Sequence, residues 1–334
     1  MEPITRLTFD VAALMATHPP RWRDRNKQAI FAVSCPPGSH VGGTIEYTRW
    51  AAMPLPAELG PAMRTELVAR VDVYDYAPTG AAGAPGVEWH VNFADPSLFV
   101  AYGSGLFAQD EMQVAEHPAL GSLREALLAG GHKALTEENG APTPVLVRGV
   151  ERRVMIATEP DAAAGRPNGL YGNRFAAGDE SAVRRAATPV DPPTITNLIA
   201  IAAPAYGHGE YTADDVESIL TTAHTGFAAA ARESRRAAGN SAATVIHAGF
   251  WGCGAFGGNR VMMAMLQLLA ARLASIERLV FHTFDRAGAD ELDRALTLHE
   301  RDFSPTLHRE PIPMREVIDR AVGMCLRWGV SDGN

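Results

Sequence analysis

Hydrophobic residues recur with two different periods along the chain, and both periods predict regular elements. Val87, Trp89, Val91 and Phe93 occupy every second position, so they share one face of a predicted strand at 87–94. Further strands are predicted at 71–76, 144–147, 153–157, 197–202, 243–248 and 278–283. Helices are predicted at 8–16, 56–71, 109–116, 119–129, 214–236, 260–274 and 287–299.

Strands alternate with helices most regularly in the last third of the chain. This order is typical of an α/β fold with a mixed, mostly parallel sheet that helices cover on both faces. Residues 158–192 are polar and irregular, with many Gly, Pro and Asp residues. Loops of that length in a compact domain are often functional or disordered.

Composition narrows the classes of protein that remain. The chain has 334 residues, is 46% hydrophobic and carries a net charge of -8. A core of ordinary size is expected, in one large domain or in a core domain with an accessory layer. The acidic balance does not attract nucleic-acid backbones or anionic membranes, so no direct binding to either is expected.

Targeting and metal signals are absent from the sequence. The first twenty residues include Asp10 and lack a long apolar stretch, and no run of about 18 apolar residues occurs elsewhere, so neither a secretory signal nor a membrane span is expected. Three cysteines and eleven histidines are scattered without metal-ligand spacing. We therefore expect a cytoplasmic protein that needs neither a metal nor a cofactor.

A glycine-rich segment at 249–258 is the strongest chemical signal. It follows a predicted strand, precedes a predicted helix and contains five glycines in ten residues. Glycines allow positive φ angles and close approach of a ligand to the backbone. The unpaired N–H groups and the positive end of the helix dipole suit a diphosphate.

Two other interpretations of this segment remain open from its residues alone. Gly252, Gly254 and Gly257 satisfy the G-x-G-x-x-G pattern of dinucleotide-binding domains, although such a unit usually comes first in its domain. The segment is also compatible with a plain turn between a strand and a helix that binds nothing.

The same segment, G-F-W-G-C-G-A-F-G-G, closely resembles the G-N-W-G-C-G-A-F-G-G signature of poly(ADP-ribose) glycohydrolases. The match continues through Gln267 and reaches residues 281–285, which are similar to the family's Y-F-T-F-G-D. The resemblance implies a macrodomain-like core at 43–285, with accessory segments at 1–42 and 286–334 that look helical. It implies that the segment from Gly252 to Gly258 holds the diphosphate, and that the substrate-binding residues of this segment are Gly252, Cys253, Gly254, Ala255, Phe256 and Gly257.

A second block resembles the family's V-D-F-A-N and Q-E-E motifs. Here Asn92 and Asp95 stand in the first motif, and Gln109, Asp110 and Glu111 form the second at the family's spacing. The resemblance implies that Glu111 is the general acid and base, that Asp110 helps to hold the ribose, and that the remaining three contact the substrate. Carboxyls in the first turn of a helix also stabilise the helix dipole, by about 0.3–1 kcal/mol, without any catalytic role.

Two departures from the family pattern matter. The family's glycine triplet aligns with residues 99–101, which are Phe, Val and Ala, and side chains there are expected to crowd or reshape the site. The glycines of the nearby segment 103–105 are candidates for compensation. The aspartate and asparagine of V-D-F-A-N are exchanged, as Asn92 and Asp95.

Three aromatic residues complete the predicted site by resemblance. Tyr171 matches the tyrosine that closes over the adenine side, Phe256 matches the phenylalanine on the ribose next to the scissile bond, and Phe284 matches an aromatic near the adenine. A packed loop or core aromatic is the alternative for Tyr171 and Phe284.

Together these features predict a hydrolase that cleaves an O-glycosidic ribosyl bond of poly- or mono-ADP-ribose. Its partner would be an ADP-ribose-containing polymer, modified protein or nucleotide. The alternatives are a module that binds ADP-ribose or a nucleotide without turnover, and a glycosidase of another nucleotide or nucleoside. A nicotinamide-dependent oxidoreductase is a more distant alternative.

Overall fold

The computed structural model describes residues 2–61, 64–77, 86–304 and 310–333. The strands in these ranges are β1 (Thr5–Asp10), β2 (Thr44–Arg49), β3 (Glu58–Leu59), β4 (Glu66–Arg70), β5 (Gly86–Ala94), β6 (Glu137–Glu138), β7 (Ala141–Pro142), β8 (Val145–Ile156), β9 (Ala187–Ala202), β10 (Ala243–Ala248), β11 (Arg278–His282) and β12 (Ile312–Pro313). The helices are α1 (Val11–Thr17), α2 (Arg25–Ser34), α3 (Gln109–Glu116), α4 (Ala119–Ala129), α5 (Arg174–Ala177), α6 (Glu180–Ala186), α7 (Ala213–Ala238), α8 (Arg260–Leu273), α9 (Arg286–Phe303) and α10 (Met314–Val322).

Eight strands form one mixed sheet in the order β1-β2-β8-β9-β5-β10-β11-β4. From β9 to β4 all neighbours are parallel, whereas β1, β2 and β8 pair in antiparallel fashion and β8 is antiparallel to β9. The predicted fold class, a mixed and mostly parallel sheet flanked by helices, is confirmed. The carboxyl ends of β5, β9, β10 and β11 meet at one edge of the sheet, which is where ligands bind in open α/β sheets.

Side-chain alternation along β5 divides the core into two layers. Trp89 and Val91 point into a cluster with α7 and α8, whereas Ala94 belongs to the cluster under α1 and α4 on the opposite face. Each fully buried side chain of this kind, such as Phe281 on β11, contributes about 1.5–3 kcal/mol relative to an exposed position.

The predicted helix at 56–71 and the predicted strand at 71–76 are wrong. The first contains β3 and the edge strand β4, which pairs in parallel with β11; residues 62 and 63 lie outside the described residues. β4 consists largely of helix formers such as Glu66, Leu67 and Ala69, and pairing with β11 overrides that preference. Residues 71–76 continue beyond β4 without regular structure.

The N-terminal segment is more closely integrated than its predicted helix at 8–16 indicates. Residues 5–10 form β1 at the sheet edge, and α1 begins after Asp10, whose Oδ1 accepts a hydrogen bond from Ala13 N at 2.8 Å. α2 packs against α3 and α6. The division of the chain at residues 42 and 285 stays a prediction.

The C-terminal segment contains α9 and α10, and α10 packs on α7. Among the described residues, none of the helices combines the length and the hydropathy needed to cross a membrane.

Candidate active site

The start of α3 is hydrogen-bonded to the carboxyl end of β5. The side chain of Gln109 bonds to that strand twice, because Phe93 N donates to its Oε1 at 2.8 Å and its Nε2 donates to Val91 O at 3.2 Å. These bonds make the Gln109 amide an extension of the strand's own hydrogen-bonding edge. The first turn of α3 is therefore placed at the edge of the sheet where a ligand is expected.

Asp110 and Glu111 are both buried in this first turn. Their side chains are 5% and 3% exposed, although carboxyls are rarely buried to this degree. Asn92 Nδ2 donates to Asp110 Oδ1 at 2.9 Å, and the backbone N–H of Ala108 donates to Glu111 Oε2 at 3.0 Å. The sequence analysis predicted that Asn92, Asp110 and Glu111 belong to one site, and the structure brings them together.

Burial disfavours the ionised forms of Asp110 and Glu111. It raises the pKa of Asp110 from 3.8 to about 8, and the negative charge of Glu111 adds to the effect. Burial also raises the pKa of Glu111, whereas Lys27 and the backbone N–H groups of Glu111 and Ala108 act in the opposite direction. The pair therefore holds a proton near neutral pH, as acid catalysis requires.

Lys27 on α2 is a functional candidate that the sequence analysis missed. Its side chain is 1% exposed, and its Nζ donates to Tyr102 O at 2.7 Å and to Ala101 O at 3.4 Å. Burial lowers its pKa to about 8, opposed first by the negative charges of Glu111 and Asp110. One signal was available, because Lys27 and Lys133 are the only lysines among 30 basic residues.

Phe99 belongs to the segment that replaces the glycine triplet, and its side chain does not crowd the carboxyls. That residue has a positive φ of 54° and is fully buried in the cluster that contains Leu98 and Tyr102. Val100 is exposed, and Ala101 offers its carbonyl to Lys27. The turn is kept despite the side chain, which points into the core.

The glycines at 103 and 105 serve packing. A Cβ on Gly103 would lie 2.3 Å from Arg21 O, and one on Gly105 would lie 2.7 Å from the Cβ of Ala176. Packing therefore explains these two glycines, and compensation for the lost triplet is not needed to explain them.

The glycine-rich segment forms a closed turn between β10 and α8. Gly258 N donates to Gly252 O at 2.9 Å, and Asn259 caps α8 by accepting from Val261 N and Met262 N. Gly252 has a φ of 76°, and a Cβ there would lie 2.5 Å from the Cβ of Ala203. The predicted strand, turn and helix are confirmed in this region.

Cys253 is not activated at this turn. Burial raises the pKa of its thiol, and its Sγ lies 3.6 Å from Trp251 O. A reactive cysteine has a lowered pKa, so Cys253 is a packing residue in this structure. Phe256 is partly buried and lies edge-on to the exposed Tyr206, with ring centroids 6.2 Å apart.

Residues 327–333, here called the strap, lie across the glycine-rich turn. Gly329 N donates to Gly257 O at 2.8 Å, and Asp332 N donates to Gly254 O at 3.4 Å. Trp328 stacks on Tyr211 with ring centroids 4.4 Å apart. No motif in the sequence indicated this arrangement.

The strap also reaches the loop that contains Tyr171. Asn173 Nδ2 donates to Gly333 O at 2.7 Å. Burial raises the pKa of Tyr171 to about 12, with smaller effects from the charges of Asp332 and Glu111 and an opposing effect from the backbone N–H of Gln109. Tyr171 therefore lies between the start of α3 and the strap.

The remaining predicted residues lie at the border of the site. Asp95 Oδ1 accepts from Ser97 N at 2.8 Å, within its own turn. Phe284 is 55% exposed with a φ of 73°, so core packing does not explain it. The described contacts of Phe284 do not join it to the carboxyls.

A chain of histidines lies beside the site on β10 and β11. His247 bonds to Glu88 Oε2 through Nε2 at 2.9 Å and to His282 Nε2 through Nδ1 at 3.1 Å, and His282 bonds to Asp72 Oδ1 at 2.7 Å. Both histidines are buried. Within the described ranges, no group of three or more His, Cys, Asp or Glu side chains is arranged to hold a metal ion.

Comparison with known proteins identifies one family profile. Residues 169–291 match poly(ADP-ribose) glycohydrolase, macro domain fold. The match includes the glycine-rich turn and Phe284 and ends before the strap. Among curated proteins no match was found.

Several solved structures are similar to the chain. A poly(ADP-ribose) glycohydrolase from Thermomonospora curvata has 17% identity and a TM-score of 0.46, covering 87% of this chain and 85% of that chain. The same enzyme bound to the inhibitor ADP-HPD has 20% identity and a TM-score of 0.46, covering 69% and 78%. The enzyme from Deinococcus radiodurans in complex with ADP-ribose has 15% identity and a TM-score of 0.40, covering 87% and 94%.

Proposed function

We propose that this chain, a member of the poly(ADP-ribose) glycohydrolase family through residues 169–291, hydrolyses an O-glycosidic ribosyl bond of an ADP-ribose-containing substrate. The observation that carries the proposal is the buried carboxyl pair Asp110 and Glu111 at the carboxyl end of β5. The pair lies outside the matched range, so it supports the assignment independently of the match.

Glu111 is the proposed acid and base. Its proton passes to the oxygen that leaves the anomeric carbon as the C–O bond breaks. A water molecule then forms a new bond to that carbon and gives up one proton to the Glu111 carboxylate, which restores the starting state. Asp110, which is held by Asn92, is the proposed group that orients the ribose hydroxyls.

The glycine-rich turn is the proposed diphosphate site. Gly252 and Gly257 have positive φ angles, which bring the backbone close to a ligand, and the turn precedes the N-terminus of α8. Backbone dipoles at the turn attract an anion, and the positive charge of Arg260, the first residue of α8, acts on Cys253 in the same turn. The free Cys35, Cys253 and Cys325 support a proposed location in the reducing cytoplasm.

One observation favours binding without turnover as the second candidate. The strap places Asp332 against Gly254, where a Cβ would lie 3.1 Å from Asp332 Oδ2. A carboxylate at that position competes with a diphosphate for the turn. A ligand that binds while the strap stays in place would lie in a different orientation, out of reach of Glu111, and would not be turned over.

Product release from poly(ADP-ribose) and from mono-ADP-ribosylated protein, followed by mass spectrometry, tests the proposal. Wild type should release ADP-ribose, and Glu111→Gln should reduce the rate by at least about 100-fold, because general acid–base catalysis contributes about 10²–10⁴-fold. Glu217→Gln, on the exposed face of α7, is the matched control and should retain full activity.

Two results would contradict the proposal. Near wild-type turnover by Glu111→Gln would remove Glu111 from the chemistry. Tight binding of ADP-ribose with no product from any substrate would favour the binding module.

A further inference from the structure

Lys27 lies on α2, which packs against α3, and the charges of Glu111 and Asp110 act on its buried ammonium group; these three side chains are called the compartment here. The Lys27 side chain is 1% exposed, against 5% for Asp110 and 3% for Glu111. Its Nζ lies 5.7 Å from the centre of the Phe107 ring, which precedes α3 by two residues. Charges this deep in a protein interact strongly because water does not screen them.

The hydrogen bonds of Lys27 fix its position. Tyr102 O and Ala101 O accept from Nζ, and both belong to the segment that replaces the family's glycine triplet. These acceptors are neutral carbonyl groups. The positive charge is therefore left to be balanced by the carboxyls.

The charge count of the compartment follows from these three groups. One cation with two ionised carboxylates leaves one negative charge uncompensated in a buried site. One cation with one carboxylate and one protonated carboxyl is neutral, which is the arrangement that burial favours. Without the cation, two protonated carboxyls would be the neutral arrangement.

Other charged groups around the compartment do not replace Lys27. The charges of Asp24, which caps α2, and of Arg23 also act on Lys27. The carboxyls also experience Asp95, and Arg124 interacts with Asp110 from α4 while donating to Leu98 O. Arg124 is only partly buried, whereas Lys27 is 1% exposed, so Lys27 is the buried cation of the compartment.

We propose that Lys27 is a positioning residue that sets the proton count of the Asp110–Glu111 pair at one, and that it holds the altered segment 99–102 beside that pair. One proton on the pair is the proton that Glu111 gives to the leaving oxygen and later takes back from water. The catalytic part of this inference rests on the proposed function; the proton count does not.

Titration of the carboxyl carbons by ¹³C NMR tests the proton count without substrate. The samples are wild type, Lys27→Met and Lys27→Gln, with signals assigned through Asp110→Asn and Glu111→Gln. Loss of the cation should move the carboxyl midpoints upward by about one pKa unit, a tenfold change in proton affinity, in both Lys27 variants. Lys133→Met, which removes the only other lysine, is the control and should leave them unchanged.

Kinetics give the second measurement. In both Lys27 variants the alkaline limb of kcat/KM should move upward with the carboxyl midpoints, with KM changed less than kcat. A purely structural role would lower activity at all pH values without moving the limb.

The outcomes separate the two proposals. Unchanged carboxyl midpoints in Lys27→Gln, which keeps an N–H donor for Tyr102 O, would overturn the role of Lys27. A shift in Lys27→Met alone would assign the effect to the hydrogen bond and would also overturn it. Wild type without turnover on any ribosyl substrate would defeat the proposed function, while the NMR result would still decide the proton count.

Discussion

Asp110 shows how a single side chain combines a role in the site with a loss of stability. It is 5% exposed, and its hydrogen-bond partner is the neutral amide of Asn92. An amide satisfies one oxygen of the carboxylate but supplies no net charge. The folded protein therefore favours the protonated form of Asp110, whereas the unfolded chain releases that proton.

Asp110→Asn should stabilise the protein increasingly as pH rises. The folded pKa of about 8 lies above the ordinary value of 3.8, so the wild-type unfolding free energy falls through this pH window as the unfolded state loses a proton that the native state retains. The fall is at most about 1.4 kcal/mol per pH unit. Urea unfolding at pH 5 and pH 8 should show a larger advantage of the variant at pH 8.

The exposed Asp293→Asn serves as the control for that comparison. An advantage of Asp110→Asn that is equal at both pH values would mean that Asp110 is ionised in the native protein.

At the scale of elements, the glycine-rich turn depends on two backbone requirements at the same residue. Gly252 needs a left-handed conformation, and the Cβ of Ala203 leaves no room for a side chain. The two requirements are separable, because Gly131 has a similar φ of 70° with open space around it.

Gly252→Ala should therefore be more destabilising than Gly131→Ala. The control should lose about 1–2 kcal/mol for the left-handed conformation alone. Gly252→Ala should lose about 1–3 kcal/mol more from overpacking against Ala203. Thermal unfolding measures both, and equal losses would show that the turn can shift away from β9.

The elements that the sequence predicted share one property, which is a local signal. The turn at 249–258 and α8 could be predicted because five glycines separate a buried strand from a periodic helix. β4 could not, since an edge strand buries little and its helix-forming residues are overridden by β11. β9 was predicted only at 197–202, its continuous apolar part, although it begins at Ala187.

The site shows the same limit. Asp110, Glu111 and Asn92 were found through their resemblance to the family's motifs, and they do meet in the structure. Lys27 and the strap reach the site from distant parts of the chain, and pairing over such separations leaves no periodic pattern. Only the rarity of lysine in this chain pointed to Lys27.

At the scale of the whole molecule, the side of the sheet under α3 contains an unusual amount of buried polar surface. His90 stacks on His247 with ring centroids 4.2 Å apart, and Tyr76 and His117 continue the layer toward α3. Burial lowers the pKa of His117 to about 3, that of His282 to about 4, and that of His90 well below its usual value.

This layer should make the protein sensitive to mild acid. Below pH 6.5 the unfolded chain binds protons that these native histidines reject, so stability present at neutral pH is lost as the pH falls toward 4. Each group contributes up to about 1.4 kcal/mol per pH unit. The melting temperature should fall between pH 7 and pH 4.5, and less so in His117→Gln; identical slopes would contradict a neutral buried His117.

The strap has a consequence for the timescale on which the turn becomes accessible. Its backbone N–H groups are the donors, and carbonyl groups of the turn are the acceptors, so release of the strap breaks the bonds at Gly329 and Asp332. Amide hydrogen exchange at these two residues therefore measures the opening of the site directly. A ligand that needs the strap displaced should accelerate exchange at Gly329, and one that binds beneath the strap should slow it. The same two amides therefore report how often the strap opens and whether a bound ligand makes opening more or less frequent.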